Sequence, residues 1–362
     1  ISQMVGQKSK LADPYGLEWS NAVVYGYMES FTQDDTVESY FGAINYNYGE
    51  RYFLTGNYRA DGGSRFSKEN RWSNYGSVGA AWVLSNEPFM RDVNWLNYFK
   101  LRTSWGVVGN QNIPIDLFED YYAISNVNDE VVYTFIRNGN PDLTPERSVI
   151  YDVGMDFELG HYVSIEVDYY HKQTNNLLYV LYAPGITQYV NDGKLLNQGV
   201  DFVVTGHLMD TRSVKLDVSV NGGFYKNELL QMPHDVFGQE KDFQSNGMYG
   251  WSKGHSIFDY CIREYAGVDP ATGQALWYKY SDTDGNLVIN VVDYMSKNPN
   301  ATLVKETTTD YTDAGLNYVG KSAIPTLQGG FNVDLEAYGF NLTASFAYGL
   351  GGYGYDAVYA NL

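Results

Sequence analysis

Residues 148–159 read SVIYDVGMDFEL. Val149, Tyr151, Val153, Met155, Phe157 and Leu159 fall on one side of an extended chain, and Ser148, Ile150, Asp152, Gly154, Asp156 and Glu158 on the other. Successive strand side chains point to opposite faces, so this segment has one wholly apolar face and one mostly polar or acidic face. Gly160-His161 supplies a tight turn. The next segment repeats the pattern, with Val163, Ile165, Val167 and Tyr169 against Ser164, Glu166, Asp168 and Tyr170.

The same period recurs along the chain. Val200, Phe202, Val204 and Leu208 oppose Asp201, Thr205 and His207. Val214, Leu216, Val218, Val220 and Phe224 oppose Lys215, Asp217, Ser219 and Asn221. Phe331, Val333 and Leu335 oppose Asn332, Asp334 and Glu336; Phe340, Leu342, Ala344, Phe346 and Tyr348 oppose Asn341, Thr343 and Ser345. Nearer the start, Tyr40, Ile44, Tyr46 and Tyr48 meet Leu54 and Tyr58 across a turn at Gly49-Glu50.

Alternation alone also fits a soluble sandwich with one wet face. Strand length separates the two. Sandwich strands run about five or six residues, whereas a strand that crosses hydrocarbon needs ~9–11. The runs here last about 9 to 12 residues, the crossing length. Short turns at Gly49-Glu50, Gly160-His161 and Tyr338-Gly339 alternate with long segments at 61–71, 109–143, 174–195 and 225–256. Short turns on one rim and long loops on the other predict an all-β, transmembrane antiparallel barrel.

The tryptophans agree. Trp72 and Trp82 share a strand face ten residues apart, a span of about 33 Å. Tilted by ~40°, that is roughly the 25 Å height of a barrel's apolar band. Trp95 and Trp105 repeat the spacing, and all four are expected in the two membrane girdles.

Composition removes other classes. The 362 residues include 34 Tyr, 17 Phe and 7 Trp, and only 19% are charged. The net charge of −19 argues against nucleic acid, whose binding needs clustered Lys and Arg. A hydrophobic fraction of 44% excludes a disordered chain. With one cysteine, Cys261, neither a disulfide framework nor a cysteine-built zinc site is available. No stretch reaches the ~18 apolar residues of a membrane helix.

Seven phrases, in order, resemble one family. They are RYFLTGNYRADGGSRF (51–66), WSNYGSVGAAWVLS (72–85), FKLRTSWGVVGN (99–110), NPDLTPE (140–146), DYYHKQTNNLL (168–178), NQGVDF (197–202) and AGVDPATG (266–273). From about residue 37 onward the chain resembles the SusC/RagA-like TonB-dependent outer-membrane transporters. That resemblance implies part of a 22-stranded barrel, import of oligosaccharides or peptides, and a SusD-like surface lipoprotein as a lid. It also implies TonB acting through an N-terminal region, outer-membrane lipid around the barrel, and dimers of barrel–lid pairs. Residues 1–362 are expected to be a C-terminal portion of the barrel, without plug, TonB box or last strands. Two other readings compete: a TonB-dependent receptor for a metal chelate or cobalamin, which needs no lid, and a soluble or surface-anchored sugar-binding β-protein.

No catalytic residues, cofactor or metal ligands are assigned. The five histidines lack metalloprotease spacing, and there is no nucleophile elbow. Asp282, Asp284 and Asn286 half-resemble a calcium loop, but the glycine falls one step early and no glutamate follows at position 12, so a plain Asp-Gly turn is favoured. Arg59 and Asp61 are expected to pair in the lumen wall or with a plug. Asp152, Asp156, Glu158, Glu166 and Asp168 are expected to line that wall. Tyr121, Tyr122, Tyr249 and Trp251 are the loop aromatics expected to meet substrate, because rings stack on sugars and pack on peptides.

Overall fold

The computed structural model describes residues 2–11, 22–32, 34–127, 130–356 and 358. Its main body is one ten-stranded antiparallel sheet. The strands are β1 (Val37–Tyr48), β2 (Tyr52–Gly63), β3 (Trp72–Val83), β4 (Leu96–Asn110) and β5 (Glu146–Leu159). They continue as β6 (Val163–Asn175), β7 (Lys194–Asp210), β8 (Val214–Gln231), β9 (Leu327–Ala337) and β10 (Phe340–Leu350). Consecutive strands pair in sequence order from β1 to β10. A separate hairpin, Ser2–Leu11 with Ala22–Thr32, precedes the sheet.

The connections alternate in kind. β1–β2, β5–β6, β7–β8 and β9–β10 turn within two or three residues. Tyr338-Gly339 is a two-residue turn with φ of +50° and +84°, the hand that continues the right-handed twist of its strands. The β3–β4 connection on the same rim holds two short 3-10 turns. The opposite rim carries 64–71, 111–145, 176–193 and 232–326. The last of these is much longer than the expected 225–256. Alternation carries β8 on to Gln231, and the remainder folds into a small unit of its own. That unit holds a three-stranded sheet (Tyr265–Val268, Ala275–Ser281, Val304–Thr308), a strand pair (Asp259–Arg263 with Leu316–Ser322) and one helix, Val291–Lys297. Asn290 caps that helix by accepting from Asp293 N at 3.1 Å.

Burial is inverted relative to a soluble sheet. Phe99, Phe157, Ile165, Val204, Val220, Phe331 and Phe346 form one continuous row across β4–β10. Other residues of this face, Ile44 (75% exposed) and Phe340 (80%), stand open. The largest fully buried side chains, Phe66, Leu117, Leu143, Met232 and Cys261, lie instead in the connections. Phe66, Ile113, Leu117 and Leu143 form one core that joins three long connections, with Leu178 and Tyr189 against it. Tyr280, Val288 and Val291 form another. An apolar face of this extent has hydrocarbon as its solvent, and the packed rim has water.

Candidate functional site: the polar face and its loop rim

The polar face is built around one arginine. Arg102, on the polar phase of β4, lies in register with Gly154 on β5, and Gly154 with Asp168 on β6. The guanidinium passes over Gly154 to reach Asp168 at 2.8 Å and also bonds Asp156 at 2.8 Å. Lys100 adds a second cation 3.5 Å from Asp156. A Cβ on Gly154 would lie 2.2 Å from Asp168 Oδ1 and 2.8 Å from Arg102 Cζ, so the glycine is what lets the bridge cross. Further along the row, Asp201 sits directly opposite Asp168 and lies over Gly223, whose Cβ would meet Asp201 Oδ1 at 2.3 Å. Asp156 faces Glu166 across β5–β6, and Asp152 faces Ser104 and Tyr170. Directly opposed like charges repel, and Arg102 with Lys100 offsets this at Asp156 and Asp168. Near the long-loop rim, Arg59 Nε donates to Asp61 at 2.6 Å, and its Nη2 to Ser39 Oγ at 3.1 Å.

The phrase NPDLTPE ties the rim together. Asn140 Nδ2 donates to Tyr189 O at 2.8 Å, Leu143 is fully buried, and Thr144 exchanges bonds with Asn191 at 2.8 Å in both directions. Glu146 accepts from Leu178 N at 2.8 Å. Pro141 O accepts from Ser67 and Asn70. One short segment thus holds the 64–71, 111–145 and 176–193 connections in one layer.

The four loop aromatics divide into two pairs. Tyr121 and Tyr122 lie at the base of a hairpin, Tyr121–Val127 with Glu130–Arg137, and both are exposed. Arg137 sits 5.0 Å over the Tyr121 ring, and Tyr122 meets Phe135 edge-on at 5.5 Å. Tyr249 and Trp251 are packed within the 232–326 unit. Tyr249 stacks on Tyr260 at 5.2 Å and meets Phe258 edge-on, while Trp251 Nε1 donates to Ile257 O at 3.0 Å. The same unit presents a ladder that the sequence did not single out. Trp277 lies between Tyr265 (5.6 Å) and Tyr311 (4.9 Å), with Arg263 4.8 Å from the Tyr311 ring. Arg263 and Tyr265 are neighbours in sequence, but Trp277 and Tyr311 come from distant segments, so no single spacing reveals it.

Asp282 directs its carboxylate into its own turn, accepting from Asp284 N at 3.0 Å and Asn286 N at 2.8 Å. The Asn286 side-chain bond, then that amide, hold its pKa below the ordinary carboxylate value. Gly285, at φ +85°, completes the Asp-Gly turn.

Aromatic rings collect at both ends of β1–β3. Tyr40 stacks on Trp72 at 6.0 Å near the long-loop rim. Tyr48, Tyr52 and Trp82 stack in sequence at 6.4 and 6.3 Å near the short-turn rim. There Glu87 receives the Tyr52 hydroxyl at 2.5 Å, the Trp82 indole N–H at 3.1 Å and Arg51 at 3.2 Å. Trp95 lies in the β3–β4 connection and not in a strand; β4 begins after it with an irregular register at Leu96/Tyr98. Trp105 lies within the apolar face, in register with Val78 and Tyr151.

The sequence profile of the family described as TonB dependent receptor-like, beta-barrel, matches residues 5–361. The TonB-dependent receptor SusC of Bacteroides thetaiotaomicron is 29% identical over 292 residues, which are 75% of this chain and 29% of that protein. The TonB-dependent receptor P26 of Formosa agariphila is 34% identical over 205 residues, 54% of this chain and 21% of that protein. Among solved structures, the RagAB peptide importer in its 'open-open' state aligns with a TM-score of 0.75 at 26% identity. The alignment covers 93% of this chain and 35% of that one. The 'closed-closed' state gives 0.74 at the same identity and coverage. This chain therefore spans about a third, or less, of the length of these relatives.

Proposed function

The chain belongs to the TonB-dependent receptor β-barrel family of outer-membrane transporters, and from that premise we propose that it forms part of an importer of large nutrients, oligosaccharides or peptides. Its ten strands are part of a transmembrane antiparallel barrel. Their apolar face meets outer-membrane lipid; Trp72, Trp82 and Trp95 belong to its interfacial belts, and Trp105 lies within the lipid face between them. The polar face lines the passage, with Arg59, Asp61, Asp152, Asp156, Glu166 and Asp168 as wall residues. Tyr121 and Tyr122 meet cargo at the mouth. For Tyr249 and Trp251, packing inside the 232–326 unit favours a supporting role. A SusD-like surface lipoprotein covers the mouth, TonB supplies the energy through another part of the protein, and barrel–lid pairs form dimers.

The observation that carries this reading is the conjunction of a lipid-type face and a charged face on one meander, in a chain 93% of which aligns with a peptide importer. An acidic wall, only partly offset by Arg102 and Lys100, disfavours anionic cargo. The test is gentle detergent extraction of the full-length protein from its own outer membrane, followed by mass spectrometry of everything that co-purifies. A stoichiometric lipoprotein with a bound glycan or peptide is the expected result. A barrel that emerges alone, or one carrying an iron chelate, overturns the reading.

A further inference from the structure

Asn227 is 7% exposed, although it stands on a stretch of β8 that has lost one neighbour. Pairing of β8 with β9 stops at Gly223–Gln328, and β8 runs on to Gln231. Asn227 shares the polar phase of Asp217, Ser219 and Asn221. Its Nδ2 donates to Asn197 Oδ1 at 2.7 Å across β7–β8. Its Oδ1 accepts from Ser256 Oγ at 2.9 Å and from Ile257 N at 3.0 Å. Both donors belong to the 232–326 unit. Side chains of one phase share one face, so that unit touches the wall on its polar side and not on its lipid side.

The register gives the depth of this contact. Asn227 pairs with Asn197, Asn197 with Lys172, Lys172 with Ile150, and Ile150 with Gly106. Outward of Gly106–Ile150, β4 and β5 continue through four more pairs to Asn110–Glu146. Those four pairs are about 13 Å of strand. The segment around Ser256 thus lies behind the high wall of β4–β7, and above the step where β9 begins at Leu327.

The segment is held along its length. Gly254 N donates to Leu229 O and Leu229 N to His255 O, each at 2.8 Å, so it occupies the edge of β8 that β9 leaves free. Ser252 Oγ meets the Tyr318 hydroxyl at 2.8 Å, and the His255 ring lies flat on Tyr318 at 3.8 Å. Trp251 Nε1 donates to Ile257 O at 3.0 Å. Gly254, at φ +85°, makes the turn between the wall contacts.

We propose that residues 252–257 are a fixed strap inside the barrel mouth, narrowing the passage beside β7 and β8, with Asn227 as the wall residue that positions it; the inference rests on the importer reading above. A neutral amide suits that task. Burying it is costly unless it is bonded, and here its donor and its acceptor are both used. A moving gate would have to break the Leu229, Asn227 and Tyr318 contacts together, whereas a fixed strap keeps them all. Lys253, exposed on the strap, sets a cation beside the acidic wall and is the strap residue that cargo passes.

The experiment uses the full-length protein in its native outer membrane. Asn227→Cys/Ser256→Cys is oxidised, and a disulfide is read as a reductant-sensitive change of mobility on a denaturing gel. It is expected to form, because the two native side chains already meet at 2.9 Å. Ser256→Cys/Phe224→Cys, whose β8 residue points to lipid, is expected to give none. In a second arm, Lys253→Cys is treated from outside the cell with a small maleimide or with a polyethylene-glycol maleimide, and the parent protein, whose Cys261 is buried, is the blank. The bulky reagent is expected to react about tenfold more slowly, since the strap limits its approach. Asn227→Leu frees the strap and removes that difference, while Asn227→Asp keeps the acceptor for Ser256 and Ile257 and preserves it. The heat-modified gel shift shows that each barrel is closed. Equal labelling of Lys253→Cys by both reagents, or a disulfide at Phe224→Cys in place of Asn227→Cys, overturns the strap and leaves the importer standing, because neither arm uses cargo or lid. Extraction of the unmodified barrel without a lipoprotein overturns the importer reading itself.

Discussion

Arg102 and Asp168 are joined at 2.8 Å across a strand to which neither belongs. The strand between them, β5, contributes Gly154 at the crossing point, and its missing side chain is the passage. Gly154→Val fills that passage. The bridge and the new methyl groups cannot occupy the same volume, so the variant is expected to lose about 1–3 kcal/mol, the usual cost of overpacking. Urea unfolding of the full-length barrel in detergent, followed by the heat-modified gel shift, measures it. An unchanged midpoint would show that the bridge has slack.

Arg102→Met removes the cation that Asp156 and Asp168 share. These groups are partly exposed, so the loss falls between the surface and buried limits, roughly 1–3 kcal/mol. Arg102→Lys restores only part of it, because an ammonium cannot bond both carboxylates in the fork geometry. Asp168→Asn in the Arg102→Met background costs less than it does alone, since the carboxylate it removes is already unpaired. Additive losses in this double-mutant cycle would sink the coupling.

Glu87 gives a pH signature at the short-turn rim. The Tyr52 hydroxyl, then the Trp82 indole N–H, hold its carboxyl below the ordinary 4.5, against the opposing effect of burial and with help from Arg51. A carboxyl with a depressed folded pKa contributes stability that is complete above its unfolded value and is lost as pH falls through the folded one. Barrel stability is therefore expected to fall below pH 4.5, and Glu87→Gln to flatten that part of the profile. Identical acid profiles for the two proteins would refute the assignment.

Cys261 is fully buried, and burial pushes its thiol up to about 12. A thiol so placed has almost no thiolate at neutral pH. Maleimide should leave it unlabelled in the native protein and label it completely in denaturant. Gly250→Ala places a methyl 2.5 Å from Cys261 Cβ and 3.0 Å from the Tyr318 ring. That variant should open the pocket and admit label under native conditions.

The wall was legible in the sequence because lipid imposes a strict rule. A strand with hydrocarbon on one side must alternate for its whole length, so Val149–Leu159 announces β5 and Phe340–Tyr348 announces β10. The 232–326 unit has no such rule. Its strands run only a few residues, and its helix covers just Val291–Lys297. Its order comes from contacts such as Tyr280 with Val288 and Val291, which join separate segments. The Trp95–Trp105 spacing imitated a strand span only because the count ignores where β4 begins. Arg102 stood on the polar phase of a recognisable phrase, yet its partners lie on two other strands, and only the register brings them to it.

The pairing of β8 with β9 stops at Gly223 and Gln328, and β8 runs on eight residues further to Gln231 while β9 begins at Leu327. Everything from 232 to 326 leaves from the tip of that extension and returns beside its base, and Leu229 on the extension exchanges backbone hydrogen bonds with Gly254 and His255 of the segment. The segment is thus a cassette on a fixed mount. Exchange, lengthening or loss of the cassette leaves the ten pairs between β8 and β9, from Val214–Ala337 to Gly223–Gln328, as they were. Descendants of one barrel can then change what they present to the outside world without renegotiating how they sit in the membrane.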